Sequence, residues 1–389
     1  LGGPTSGGDS GNGSVYVHFP YCLAKCPYCD FVSYAKAPSA IDHRRYADVV
    51  LSELGRRRGV RHFRKKIASV FFGGGTPSLW EPLELGRVLA GIRDAHECGS
   101  DLEVTVECNP TSLDEDRARA LLDAGVNRLS IGVQGLDDER LRYLGRLHDA
   151  RLAIDTLKGA LRAGVPRVSA DLIFGLPGQS PREACNEAMA LIDLGIEHLS
   201  AYQLTIEPGT RFGELAKRGR LPLADDGMVA ESFLALDDAM TARGFLHYEI
   251  SNYARPGQEA RHNLGYWRGE EYLGLGCAAV GFARGEGRGV RWRNDAVPER
   301  YQSGNGGEVV ESLDAEALMR ERIMLGLRVV DGIDLDEAAE DLRAPGWTTD
   351  REKTASWLVE RGRVVRDGAR LRVPREAWLW TDDTAARLF

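Results

Sequence analysis

The stretch VYVHFPYCLAKCPYCDF, from Val15 to Phe31, sets a β-branched, aromatic run directly before three thiols, Cys22, Cys26 and Cys29. The alternation of Val15 and Val17 predicts a strand, so the cysteines fall in the loop leaving its C-terminal end. The same grammar recurs in SVFFGG (69–74), LEVTVEC (102–108), RLSIGVQ (128–134), VSADLIFG (168–175) and HLSAYQL (198–204). Amphipathic helical stretches lie between them, such as EDRARALLDAGV (115–126) and CNEAMALIDLGI (185–196). Strands alternating with helices predict parallel pairing and right-handed crossovers. Six such units are two short of a closed barrel. The expected fold is therefore α/β, a partial (β/α)6 barrel, with a doubly wound open sheet as the alternative.

In either arrangement, functional groups gather on loops at the strand C-termini. The cysteine loop follows the first strand, GGGTPS the second, ECNP the third, VQGLDD the fourth, FGLPGQ the fifth and IEPGT the sixth. Beyond Tyr248 the chain turns aromatic and Gly-rich with little periodicity, including HNLGYW (262–267). We expect a disordered tail over 1–14, a barrel with its HNxxYW extension over 15–282, and a surface connection over 283–313. Residues 314–389 should form a small α+β unit: helical patterns precede RVVRDGARLRV, whose Asp367-Gly368 marks a hairpin, as in winged helices.

Lys and Arg total 50 against 58 Asp and Glu, a net charge of -8, which argues against a chain held on nucleic acid by bulk charge. No run approaches the ~20 apolar residues of a bilayer-crossing helix. The N-terminal residues lack the apolar core of a secretory signal. Three of the seven cysteines crowd into one loop, unlike a disulfide scaffold, so a reducing cytoplasm is expected.

Three chemistries compete for the cysteine loop. Cys26 and Cys29 alone would make a redox dithiol, which needs a helix start to depress a thiol pKa and leaves Cys22 unused. Structural zinc would recruit His18 as fourth ligand, although zinc sites usually join two separate ligand pairs. An iron–sulfur cubane on three thiolates would leave one iron open to a further ligand. Of the other loops, Gly73, Gly74 and Gly75 permit close backbone approach to a ligand. Glu107 can accept from hydroxyls, and Gln134, Arg146 and Asp171 offer amide, guanidinium and carboxylate contacts. His262, with Asn263, Tyr266 and Trp267 beside it, is either a histidine bonded within a packed loop or a heme-iron ligand among aromatic faces.

Cys-x3-Cys-x2-Cys at the end of the first strand of a partial barrel resembles the radical S-adenosylmethionine (SAM) enzymes. That resemblance implies a [4Fe–4S] cluster on Cys22, Cys26 and Cys29. Its open iron chelates the amino and carboxylate groups of SAM, and one electron cleaves a carbon–sulfur bond to give a deoxyadenosyl radical. YVHFPYCLAKCPYCDF, FFGGGTPS, VECNP, LSIGVQ, DLIFGLPGQ, YQLTIEPGT, YEISNYARPG and HNLGYW together resemble the oxygen-independent coproporphyrinogen-oxidase-like family over about residues 15–282. The family implies SAM contacts from Tyr16, Gly74, Gly75, Thr76, Glu107, Gln134, Arg146 and Asp171.

Two activities occur within that family. The dehydrogenase that decarboxylates coproporphyrinogen III carries a fourth cysteine two positions after the third, where this chain has Phe31. Cys-Asp-Phe together with HNLGYW resembles the heme-chaperone branch instead. That branch implies heme, with His262, Asn263, Tyr266 and Trp267 as candidate contacts, and acceptor hemoproteins, membrane-associated respiratory ones among them. A peripheral site at the inner face of the membrane and a homodimer are both compatible with it. The sequence leaves open the electron donor and whether SAM is cleaved. A third reading, a zinc-stabilised adaptor docking through its winged unit, would contain neither iron nor sulfide.

Overall fold

The computed structural model describes residues 12–57, 65–285, 287–304 and 306–389. Six parallel strands lie side by side in chain order: β1 (Asn12–Phe19), β2 (Lys66–Gly74), β3 (Cys98–Cys108), β4 (Arg128–Gln134), β5 (Arg167–Phe174) and β6 (His198–Gln203). Parallel neighbours need crossovers, and helices such as His43–Arg57, Pro82–Ala95 and Ala150–Arg162 supply them. Caps fix where these helices begin. Asp114, Asp149 and Ser180 each accept a first-turn N–H, and Ser180 with Glu183 closes a capping box.

The strand period sorts the side chains. Val15, Val17 and Phe19 are fully buried, and the Phe19 ring meets Tyr46 of the first helix. Tyr16 and His18 face the other way, where Tyr16 stacks on Phe71. Register brings the strand ends level: Phe19 pairs with Gly74, Cys108 with Ile131, Gln134 with Leu172 and Phe174 with Gln203.

The sheet stays open. Hairpin β7 (Leu246–Glu249) and β8 (Asn252–Ala254) extends the β6 side, with β8 antiparallel to β6. Beyond β1 lie β9 (Glu271–Leu275), parallel to it, then antiparallel β10 (Val280–Gly285), β11 (Arg288–Arg293) and β12 (Val309–Leu313).

These extensions correct three expectations. Residues 283–313 are not a surface connection but three strand segments and a short helix, Pro298–Ser303. Gly289 makes room for bulk rather than mobility: a Cβ there would lie 2.9 Å from Leu318 and 3.0 Å from Phe282. HNLGYW is not irregular but lies in the helix Arg261–Trp267. Of the expected tail, residues 1–11 lie outside the described residues, while Asn12–Ser14 begin β1.

The C-terminal unit has the expected winged-helix form. Helices Ala315–Gly326, Leu335–Leu342 and Thr349–Glu360 pack on a small sheet of β13 (Ile333–Asp334), β14 (Val365–Asp367) and β15 (Arg370–Arg372) around its own core. It is seated firmly on the barrel. Arg375 bridges Asp237 and Asp238, the Trp378 ring lies 4.2 Å from that of His247, and Ile250 N donates to Arg328 O at 2.9 Å. No helix among the described residues is long and apolar enough to cross a membrane.

Candidate cofactor site

A cavity of about 680 Å³ opens at the C-terminal ends of the parallel strands, and all three loop cysteines line it. Backbone bonds hold the cysteine loop against the glycine loop. Gly75 N donates to Phe19 O at 2.7 Å and Thr76 N to Tyr21 O at 2.8 Å, while Tyr21–Cys22 pairs in parallel with Tyr34–Ala35. A Cβ on Gly75 would lie 2.6 Å from Tyr21 O, and one on Gly74, at φ 109, would strike the His18 ring at 2.4 Å. Only glycine lets these two loops touch.

This geometry separates the three cysteine chemistries. No helix starts at Cys26, where Cys29 N donates to Cys26 O in a turn. Burial pushes the Cys29 thiol up to about 11, with Cys26 and Cys22 adding to the rise, which is the reverse of what a reactive dithiol needs. Four ligands at about 2.3 Å around one zinc would stand under about 4 Å apart. Among the described residues no three His, Cys, Asp or Glu side chains are placed to hold a single ion. His18 is committed elsewhere: Nδ1 bonds Tyr16 Oη at 3.0 Å and Nε2 bonds Val32 O at 2.8 Å. Three thiols from one loop, all lining the cavity, are the donor set that a cubane with one open iron takes.

The facing wall is built for a ligand rich in donors. The Glu107 carboxylate accepts from Gly74 N at 3.0 Å, and Asp171 accepts from Ser130 Oγ at 3.2 Å. Burial pushes the Glu107 carboxyl up to about 7 with Asp171 adding to the rise, and burial raises Asp171 too. Two buried carboxylates, one bonded to the Gly74 N–H and the other to serine hydroxyls, suit an ammonium and hydroxyls. Arg146 reaches Cys26 Sγ at 3.5 Å and Gly132 O at 2.9 Å, and its buried Nε has no protein partner. Gln134 sits at φ 67, a left-handed conformation that costs a non-glycine residue about 1–3 kcal/mol. Its amide lies over Gly132, where a Cβ would meet Nε2 at 2.8 Å.

Gly74, Gly75, Thr76, Glu107, Gln134, Arg146 and Asp171 therefore line the same cavity as the cysteines. Tyr16 lies beneath it, with its hydroxyl bonded to His18. The heme candidates are not brought to the cavity. His262 is 1% exposed; Nδ1 bonds Ser69 Oγ at 2.9 Å, Nε2 bonds Tyr266 Oη at 3.0 Å, and its ring stacks on Phe71. Burial holds its pKa down to about 3. Cys277 is buried as well, its thiol turned to the carbonyls of Asp295 and Ala296. Sequence reading missed Ser130, Tyr202 and Arg328 on the cavity wall. Ser130 and Tyr202 sat unremarked in strands, and Arg328 lies more than 50 residues beyond the barrel's motifs.

Residues 16–188 match the radical SAM superfamily, and residues 313–380 match the HemN C-terminal domain. Coproporphyrinogen III oxidase (HemN) from Escherichia coli superposes with a TM-score of 0.80 over 97% of this chain and 90% of its own, at 20% identity. Fold and site thus define a radical SAM protein with a HemN-type C-terminal domain. The heme chaperone HemW of E. coli is 39% identical, covering 75% of this chain and 76% of that protein. HemW of Mycobacterium tuberculosis is 34% identical over 91% and 92%, and bovine mitochondrial radical S-adenosyl methionine domain-containing protein 1 is 39% identical over 85% and 77%. The chain belongs to the heme chaperone HemW family. Membership implies a [4Fe–4S] cluster and SAM, which the cavity's donor set suits.

Proposed function

We propose that this chain is a radical SAM-type heme chaperone, which binds heme and passes it to acceptor hemoproteins. Cys22, Cys26 and Cys29 would hold the cluster. Glu107, Asp171, Gln134 and Arg146, with the Gly74–Thr76 backbone, would hold SAM. Held by those cysteines, such a cluster would supply one-electron reducing chemistry beside the SAM site. The protein's own part is to orient that ligand, keep water from it and balance its charge. The observation that carries the chaperone reading is Phe31. It stands 58% exposed on the cavity rim, at the position where the decarboxylating relatives place a fourth cysteine. The relatives named heme chaperones support the same reading.

The test is a hemin titration of the anaerobically reconstituted full chain, followed at the Soret band. Stoichiometric binding is expected, with no conversion of coproporphyrinogen III on the same preparation. Turnover to protoporphyrinogen IX with SAM consumption would replace the reading with the dehydrogenase. His262 carries forward as the proposed iron ligand. Ligation requires its bonds to Ser69 and Tyr266 to open, so His262→Ala is expected to shift the Soret band and weaken binding. An unchanged band would remove His262 from the iron while leaving the heme reading intact.

A further inference from the structure

The outer half of the cavity differs in chemistry from the half holding the cysteines. Three of its rim side chains are apolar and exposed: Phe31 at 58%, Tyr202 at 40% and Leu379 at 37%. They come from the cysteine loop, β6 and the C-terminal unit, and apolar surface from three separate elements around one opening marks a binding site. Three cations line the cavity: Lys25, Arg146 and Arg328. Arg146 is committed at Cys26, and the Lys25 ammonium caps the Phe31 carbonyl at 2.9 Å. Arg328 remains for a ligand in the outer half.

Arg328 is held in place from behind. Its own carbonyl accepts from Ile250 N, its Nη1 donates to Met324 O at 2.9 Å, and its guanidinium lies 5.8 Å over the ring of Trp267. Its remaining partner is weak. Nη2 donates to Asp382 at 2.5 Å, but that carboxylate is 78% exposed, and a surface pair of this kind contributes little. A carboxylate arriving on a ligand whose body covers the apolar rim would displace Asp382 and form a better-shielded pair.

We infer that Arg328, poised over Trp267, is the carboxylate-binding residue of an outer subsite that takes a planar apolar macrocycle with pendant carboxylates. The inference rests on the heme reading above but not on the His262 assignment, to which it is an alternative: it places the macrocycle at the cavity rim and names the group that anchors it there. It also gives the HNxxYW helix a role: Trp267, its last residue, braces the anchor.

The experiment titrates hemin and its dimethyl ester into the anaerobically reconstituted full chain. Wild type is expected to prefer the free acid about tenfold or more, a charge-assisted hydrogen bond's worth. Arg328→Gln should lose that preference with SAM affinity unchanged. Asp382→Asn, which removes only an exposed competitor, should bind the free acid severalfold more tightly than wild type. If the Arg328 variant loosens the C-terminal unit, the ester comparison in wild type and the Asp382 variant still decide. Equal binding of acid and ester by wild type, or a preference untouched in both variants, overturns the subsite alone. Failure of wild type to bind either porphyrin overturns the heme reading and the subsite with it.

Discussion

Serine in place of Cys22, Cys26 or Cys29 is expected to drop the bound iron from about four atoms per chain to below one. The three thiols are the loop's only sulfur ligands. His18, the nearest imidazole donor in sequence, has both ring nitrogens bonded within the protein. Cys108 borders the same cavity but points its thiol at Val106 O. Cys98, Cys185 and Cys277 do not line it. Iron and sulfide analysis after anaerobic reconstitution reads the result directly. Near-full iron in two or more of the single variants would mean that the cluster is held elsewhere. Cys277→Ser serves as the control and should keep its iron.

Glu107→Gln is expected to weaken SAM binding roughly ten- to a hundredfold, the size of one charge-assisted hydrogen bond. The variant also changes how binding depends on pH. With its carboxyl pushed up to about 7, wild type must shed a proton to greet a cationic ligand below neutrality. SAM affinity should therefore rise about tenfold between pH 6 and pH 8, and should stay flat in Glu107→Gln. Stability moves the opposite way. The folded chain keeps this proton up to about pH 7, whereas the unfolded chain releases it near 4.5. SAM-free protein thus loses stability as pH rises through that window, and the glutamine variant does not. A variant that binds SAM poorly yet melts higher at pH 8 separates this account from simple misfolding. Unchanged SAM affinity would take Glu107 off the ligand.

The barrel was legible because its signals are local. Strand alternation at Val15 and Val17, Gly-rich turns and helix stops at Gly125 and Gly195 each follow from a few neighbouring residues. The loop cysteines and most of the cavity lining could be read for the same reason: they sit at strand ends, and parallel pairing puts all such ends on one face. The misses came where tertiary packing overrode composition. Gly289 looked like a linker residue but clears space for Leu318 and Phe282. His262 was read in an irregular segment, yet its helix is anchored by a buried carboxylate far away in sequence, with Glu103 accepting from His262 N at 3.1 Å. Arg328 and Leu379 reach the cavity only because the C-terminal unit docks on helix Asp226–Ala242, a long-range placement that no short window encodes.

The measurement that bears most directly on this account is the electron paramagnetic resonance spectrum of the dithionite-reduced, reconstituted protein, recorded with and without SAM. A reduced [4Fe–4S] signal whose g-values move when SAM is added is the predicted result. A signal indifferent to SAM, or a preparation that holds zinc and no iron, would contradict it.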